Sequence, residues 1–259
     1  MDNILNIVWF RQDLRIEDNP ALFKAAENAI ILPIYILDDE NANDWCMGEA
    51  SRWWLQKSLQ SLNKSLNGNL HLFNGKADEI IPDLIEKTDA TGIYWNRCYE
   101  PWRISRDKKI KAELLTNNIK VRSFNGSLLF EPPNIKKADD TPYKVFTPFY
   151  KKGCVENGPP PRELVTNLPK LIFKKNISSK NLSDLSLLSD IPWYRHMEEI
   201  WSPGEKGANE RLNQFLEHGI QNYKIGRNRP DKEFVSRLGA HFHFGELSPH
   251  QAWFRVKNL

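Results

Sequence analysis

Residues 5–22, LNIVWFRQDLRIEDNPAL, decide the fold class of this chain. Residues 5–10 form a short apolar run, which is typical of a strand buried on both faces. Asn19 can cap a helix, and Pro20 is tolerated in a first helical turn, so a helix is predicted to begin there. Strand, polar turn and helix in this order are the first unit of an α/β fold.

The same alternation continues to about residue 125. Four further apolar runs predict strands at residues 30–36, 70–73, 92–95 and 121–124. Helical patterns lie between them at residues 50–66, 82–87 and 104–115. In the first of these, Leu55, Leu59, Leu62 and Leu66 form one stripe, and Gly68 follows as a stop signal. We therefore predict a doubly wound parallel sheet with helices on both faces.

The pattern changes after about residue 130. Proline-rich breaks at 131–133 and 158–161 and a polar stretch at 174–188 indicate an interdomain linker over residues 131–202. Helical patterns then occupy residues 204–218, 234–242 and 249–256. Because about 55 residues make a poor independent core, we expect residues 203–259 to be the incomplete start of a helical domain after an α/β domain at 1–130.

Composition limits the class of protein. Net charge is +3, from 36 basic and 33 acidic residues, which is too weak to indicate nucleic-acid binding by itself. The three cysteines, Cys46, Cys98 and Cys154, form no CxxC pair, so neither a zinc site nor a redox motif is predicted. Sparse cysteines, no signal peptide and no apolar run of about 18 residues together predict a cytoplasmic protein without a membrane span.

The charged residues after the first predicted strand have two interpretations. They lie at the carboxyl end of that strand, where open α/β sheets bind ligands. Alternatively, Arg11, Asp13, Arg15 and Asp18 form a salt-bridged turn, which we favour for these side chains. Neither GxGxxG nor GxxxxGK[ST] occurs, so dinucleotide and P-loop sites lack their usual support.

Six segments resemble, in order, motifs of the photolyase/cryptochrome family. They are WFRQDLRIEDNPAL (9–22), GEASRWWL (48–55), YWNRCYEP (94–101), YKVFTPF (143–149), SRL (236–238) and FGELSP (244–249). Each motif is weak alone, but six in the family's order are highly specific. The resemblance covers nearly the whole chain and implies an α/β antenna-binding domain, a linker and the beginning of an α-helical FAD-binding domain.

Residues 236–237 suit a phosphate on physical grounds, because a hydroxyl, a guanidinium and backbone N–H groups meet at a predicted helix start. A serine cap beside a solvent-facing arginine is the more common case. The family resemblance implies that Tyr223, Ser236, Arg237 and Leu238 hold the FAD diphosphate and ribityl chain. Gly239 extends this set, although relatives often carry a small hydroxyl residue there.

Basic residues exceed acidic ones over residues 218–237. Such a stretch suits a DNA phosphate backbone, and a solvated helix face is an equal alternative. The resemblance implies that Arg227 contacts DNA. His241 and His243 are two residues apart, a spacing that does not place both on one helix face, so no metal pair is predicted.

The resemblance also implies an antenna chromophore, either a deazaflavin or a folate (methenyltetrahydrofolate). Arg52 and Glu100 are its candidate anchors, near Trp95 and Asn96. Trp102 and Arg103 stand where folate-binding relatives can carry an amide–carboxylate pair, which argues against folate. A packed tryptophan and a helix-capping glutamate explain the same residues equally well.

The expected function is FAD-dependent, light-driven repair of cyclobutane pyrimidine dimers in UV-damaged DNA by a monomeric deoxyribodipyrimidine photolyase. Flavin carries the chemistry, and no catalytic residue is predicted within this chain. We expect residues 1–259 to be inactive alone. Two alternatives stay open, a cryptochrome-type blue-light photoreceptor and an antenna-binding α/β module without activity.

Overall fold

The computed structural model describes residues 4–259 and contains a five-stranded parallel sheet with strand order β3-β2-β1-β4-β5. The strands are β1 (Leu5–Phe10), β2 (Ile30–Leu37), β3 (His71–Asn74), β4 (Gly92–Asn96) and β5 (Lys120–Phe124). In the centre, Trp9 of β1 lies opposite Ile34 of β2 and Trp95 of β4. Every residue of β1 is buried, as expected for a strand covered on both faces. The five predicted strands and the α/β fold class are confirmed.

Eleven α-helical segments are found in residues 4–259. Four of them pack on the sheet: α1 (Pro20–Ala26), α3 (Glu49–Ser65), α4 (Ala77–Thr88) and α5 (Pro101–Thr116). The others are α2 (Asp39–Ala42), α6 (Phe146–Pro148), α7 (Arg195–Ile200), α8 (Glu205–Gln214), α9 (Tyr223–Gly226), α10 (Gly239–His243) and α11 (Pro249–Lys257). The predicted start of α1 is confirmed, because the Asn19 side chain accepts a hydrogen bond from the Leu22 amide at 3.1 Å.

Apolar cores lie on both faces of the sheet. One is formed with α1 and α3 and includes the predicted stripe Leu55, Leu59, Leu62 and Leu66, all of which are buried. The other is formed with α4 and α5. Gly68, at φ +76°, adopts the left-handed conformation expected where a helix stops. None of the helices within residues 4–259 has the length and apolar character that crossing a membrane requires.

Two predicted helix starts differ most from the structure, by five residues each. Helix α4 begins at Ala77, five residues before the predicted start at Pro82. Ala77 and Ile81 are buried, and their contacts stabilise the helical turn that precedes the proline. The predicted helix at 234–242 is reduced to α10, Gly239–His243. Arg237 has φ +51°, which a right-handed helix cannot contain, and this residue separates Phe234 from the helix.

Residues 171–187 of the segment at 131–202 pack against the sheet domain, whereas residues 136–152 are largely exposed. Phe173 pairs with Ile31 of β2, and Lys180 pairs with Leu72 of β3. Leu185 and Leu187 are buried in the core beside α3. Residues 203–259 add a small cluster formed by Ala208, Leu212, Leu238 and Leu247. The proposed domain boundaries near 130 and 202 stay a prediction.

Candidate functional site

The turn after β1 is a buried polar network whose partners lie far away in the sequence. Arg15 is fully buried and donates to the carbonyls of Glu17, Asp18, Gly126 and Gly245. Burial lowers the pKa of its guanidinium. Asp18 accepts from Arg162 at 2.6 and 2.8 Å and from Ser248 at 2.5 Å. Burial alone would raise the pKa of Asp18, but these hydrogen bonds hold it below its ordinary value.

The predicted salt-bridged turn is therefore wrong in its pairing. Arg11 pairs with Asp107 of α5, and Asp18 pairs with Arg162. Asp13 accepts from the Asn96 side chain at 2.6 Å and from the Arg11 amide at 2.6 Å. The ion-pair partners of Arg11 and Asp18 thus lie outside the turn, while Asp13 is held by hydrogen bonds.

A pocket of about 210 Å³ opens at the carboxyl edge of the sheet. The chain passes from β1 to β2 on one side of the sheet, and β4 lies on the other side of β1. Open α/β folds bind ligands at the carboxyl edge where the strand order reverses in this way. The end of β1, the end of β2 and the start of α5 form most of its wall. Its lining includes Trp9, Arg11, Tyr35, Asp38, Trp45, Glu100, Trp102, Arg103, Arg106 and His243.

Most charges of this wall are already neutralised. Arg11 pairs with Asp107, and Arg106 pairs with Asp38 at 2.9 Å. The guanidinium carbons of Arg11 and Arg106 lie 4.6 and 4.7 Å from the centre of the Trp9 ring, which adds cation–π attraction. The pocket therefore has a rigid wall of aromatic rings and paired charges.

Four buried polar atoms of this wall lack a hydrogen-bond partner among residues 4–259. They are Trp9 Nε1, Arg11 Nε, Arg103 Nε and Glu100 Oε2. Arg103 Nε and Glu100 Oε2 lie 3.7 Å apart as an ion pair, and none of the four atoms has accessible surface. Rigid aromatic walls with a few polar groups suit a flat heterocycle.

The two predicted antenna anchors differ in position. Glu100 lines the pocket, but Arg52 does not. Arg52 donates to Asp39 at 2.5 Å and to the Met47 carbonyl at 3.0 Å, so it fastens both ends of the loop at 39–47. That loop carries Trp45 over the pocket, where this side chain is 77% exposed. Arg52 thus acts through the loop and not by direct contact with the cavity.

The other two residues of the predicted antenna set are structural. Trp95 packs edge-on against Trp9, with ring centres 5.8 Å apart, and Asn96 belongs to the Asp13 network. Our prediction missed Arg103 and His243 as pocket residues. Arg103 was visible only as a departure from the folate pattern, and His243 comes from α10, far along the chain. Burial, then the nearby Arg103, lowers the pKa of His243.

The predicted FAD residues lie in the helical segment. Tyr223 begins α9 and is partly exposed, and Leu238 is buried against α8. Ser236 and Arg237 are half-buried in irregular backbone, and Gly239 begins α10. The Ser236 hydroxyl accepts from the Leu238 amide at 3.4 Å. Phe234 packs on Gly226, which brings this irregular stretch alongside α9.

Arg227, the predicted DNA contact, is exposed at the carboxyl end of α9. The surrounding basic residues are also exposed, and Arg229 pairs with Asp231 at 2.8 Å. Residues 228–238 form no helix, so the alternative of a solvated helix face does not describe them. The stretch is an irregular basic surface.

Glu246 joins the helical segment to the sheet domain. Its Oε1 accepts hydrogen bonds from Trp54 Nε1 at 3.0 Å, from the Gly204 amide at 2.6 Å and from the Ser58 hydroxyl. Its Oε2 accepts from His241 Nδ1 at 2.5 Å. Phe244, two residues earlier, stacks on Trp54 and closes one side of the pocket. This junction was not predicted, although FGELSP had marked the segment.

Comparison with known proteins gives one family. The sequence profile described as DNA photolyase matches residues 6–165. A deoxyribodipyrimidine photo-lyase of Agrobacterium fabrum is 39% identical over 98% of this chain and 53% of its own length. Cryptochrome-2 of Arabidopsis thaliana is 34% identical over 93% of this chain and 41% of its own length.

The structural comparison agrees. A bacterial class III photolyase from Agrobacterium tumefaciens superposes with a TM-score of 0.92 at 36% identity, over 100% of this chain and 54% of that protein. The chain thus spans about half the length of these relatives.

Proposed function

Because this chain belongs to the DNA photolyase family, we propose that it is part of a FAD-dependent photolyase that repairs cyclobutane pyrimidine dimers in UV-damaged DNA. Within that activity, the sheet domain binds a flat light-absorbing chromophore, and the helical segment holds the phosphate side of FAD. The observation that carries the proposal is the pocket at the carboxyl edge of the sheet, whose wall includes the aromatic residues Trp9, Tyr35, Trp45 and Trp102.

The donor set of the helical segment fits a diphosphate. Ser236 offers a hydroxyl, and Arg237 a guanidinium that lies 3.8 Å from exposed Glu233, too far for a hydrogen bond. Charge-assisted donors of this kind are the strongest partners of phosphate oxygens. Tyr223 and Leu238 would contact the ribityl chain, and Gly239 leaves open space, because nothing lies within 4 Å of a Cβ placed there. When bound, FAD supplies light-driven donation of one electron to the dimer, and the electron returns after ring splitting.

The photolyase assignment is favoured over a photoreceptor by the basic surface of the helical segment. Arg227 and its basic neighbours are exposed, as contact with a phosphate backbone requires. A damaged base pair is also easier to unstack, which contributes to selection of the lesion.

Repair is tested directly with the natural gene product, purified in dim red light and supplied with a reductant. We expect loss of thymine dimers from irradiated oligothymidylate under blue light and none in the dark. Bound flavin that absorbs and is photoreduced without any repair above a flavin-only control would support the photoreceptor instead.

Two substitutions test the assigned residues. Arg237→Ala should lower the flavin content of the purified protein, because a hydrogen bond to a charged group contributes about 1.5–3 kcal/mol. Arg227→Ala should weaken DNA binding and reduce its dependence on salt by about one phosphate contact while leaving flavin content unchanged. Undiminished flavin in the first variant would remove Arg237 from the FAD site.

A further inference from the structure

We infer that His241 is a positioning residue for FAD, because its hydrogen bond to Glu246 fixes α10 and the residues before it against the sheet domain. The inference rests on the proposed function and adds the group that holds the phosphate side of the flavin site in place. It requires no contact between His241 and the cofactor. His241 acts through residues 236–238, which directly precede α10.

The His241 side chain is held by one hydrogen bond and two aromatic rings. It is 2% exposed, and its Nδ1 donates to Glu246 Oε2 at 2.5 Å. Its ring lies edge-on to Trp54, with ring centres 5.1 Å apart, and is tilted against Trp201 at 6.5 Å. Among residues 4–259 this hydrogen bond is the one that a side chain of α10 makes, so the orientation of the helix depends on it.

Glu246 fixes this contact to the sheet domain. Its side chain is fully buried and accepts from Trp54 and Ser58 of α3. The Glu246 amide also donates to the His241 carbonyl at 2.9 Å, so backbone and side chain join the same two residues. Because α10 has only five residues, a rotation about this contact would move its first residue, Gly239, and the chain before it.

The backbone before α10 needs such support. Arg237 has φ +51°, a left-handed conformation that is unfavourable for a long side chain. Eleven non-glycine residues among 4–259 have positive φ, and the other ten are asparagine, aspartate or serine, which have short polar side chains. Strained backbone persists only where its surroundings fix it. Leu238, buried against α8, fixes the residue after Arg237, and His241 fixes the helical turn that follows.

The direction of the Arg237 guanidinium therefore depends on α10. Its ion pair with Glu233 is loose, at 3.8 Å, and the Arg237 side chain is 34% exposed, so this pair does not fix its direction. Donors that are already held in place lose less conformational entropy when a phosphate binds. Without the His241 hydrogen bond, Ser236 and Arg237 would have to be ordered by the cofactor, and the affinity for FAD would fall.

The test separates the hydrogen bond from the packing of the His241 ring. His241→Phe keeps a flat ring between Trp54 and Trp201 but cannot donate to Glu246. His241→Asn removes the ring but keeps a donor, because the amide nitrogen of asparagine is bonded to Cγ, as Nδ1 is in histidine. In the natural gene product freed of flavin, we expect His241→Phe to weaken FAD binding by at least about tenfold and His241→Asn by less than about threefold, measured by titration with FAD and flavin fluorescence.

Ile81→Val is the control for stability alone. Ile81 is buried on the other face of the sheet, so this variant should unfold more easily and bind FAD with unchanged affinity. Should His241→Phe fail to fold, His241→Gln takes its place, because its amide nitrogen lies one carbon further from the backbone. Unchanged affinity in that variant, or a tenfold loss in His241→Asn, overturns the inference alone. No FAD binding by the unaltered protein overturns the proposed function, and the inference with it.

Discussion

Replacement of Glu246 by leucine tests how strongly the helical segment is joined to the sheet domain. The Glu246 side chain accepts from four buried donors, but two of them have alternatives. The Ser58 hydroxyl already lies 2.9 Å from the Trp54 carbonyl. His241 borders a small cavity of about 60 Å³ that has room for water.

Trp54 Nε1 and the Gly204 amide have no such alternative among residues 4–259, and each unsatisfied buried donor costs about 1–3 kcal/mol. Burial of the apolar leucine side chain offsets part of this free-energy cost. We therefore expect Glu246→Leu to lower the free energy of unfolding by about 2–4 kcal/mol. Glu246→Gln keeps the oxygen that serves three donors, so its cost should be about 1 kcal/mol.

The assay is equilibrium unfolding in urea, followed by tryptophan fluorescence and far-ultraviolet circular dichroism. Both signals report on unfolding of the whole chain, because eight tryptophans besides Trp54 contribute to the fluorescence. A loss below 1 kcal/mol for Glu246→Leu, or equal losses for the leucine and glutamine variants, would show that these hydrogen bonds do not hold the two parts together.

Three further perturbations address other parts of the structure. Gly245 has φ +64°, and a Cβ there would collide with the backbone of Gln12 and Asp13. Gly245→Ala should therefore destabilise the chain by at least about 1 kcal/mol more than the control Gly68→Ala, where the backbone is also left-handed but a Cβ meets nothing within 4 Å. Equal losses of unfolding free energy in urea would exclude the collision. Burial lowers the pKa of His250 to about 4, below about 6.5 in the unfolded chain, so the unfolded state binds more protons between these values and stability is lost as pH falls through this window. His250→Leu should therefore reduce the drop in unfolding free energy between pH 7.5 and 4 by about 2–3 kcal/mol, and an unchanged drop would contradict this. Arg52→Ala should speed hydrogen exchange of the loop at 39–47, with less than about 1 kcal/mol lost in global stability because its ion pair is partly exposed. Unchanged exchange would show that Arg52 does not hold the loop.

The sequence by itself determined the sheet domain. Apolar runs such as Leu5–Phe10, the Asn19 cap and the leucine stripe of α3 are local signals, because a strand or helix buries residues at a fixed period along its own chain. These signals failed at boundaries, where tertiary contacts outweighed local preference, as at Pro82 inside α4, and they missed the short helix α2. The motif order likewise placed Glu100 in the candidate site, since its position after β4 follows from topology.

Only the tertiary structure decided which charged groups meet. Asp18 pairs with a residue 144 positions away, and Glu246 with a tryptophan 192 positions away. Nothing in a local pattern distinguishes such a partner from any other arginine or tryptophan. The same limit explains why Arg52, predicted to line the pocket, holds a loop beside it, while Arg103 lines the pocket. Hydrophobic periodicity is a property of neighbouring residues, whereas ion pairs, unpaired atoms and cavities depend on where distant elements pack.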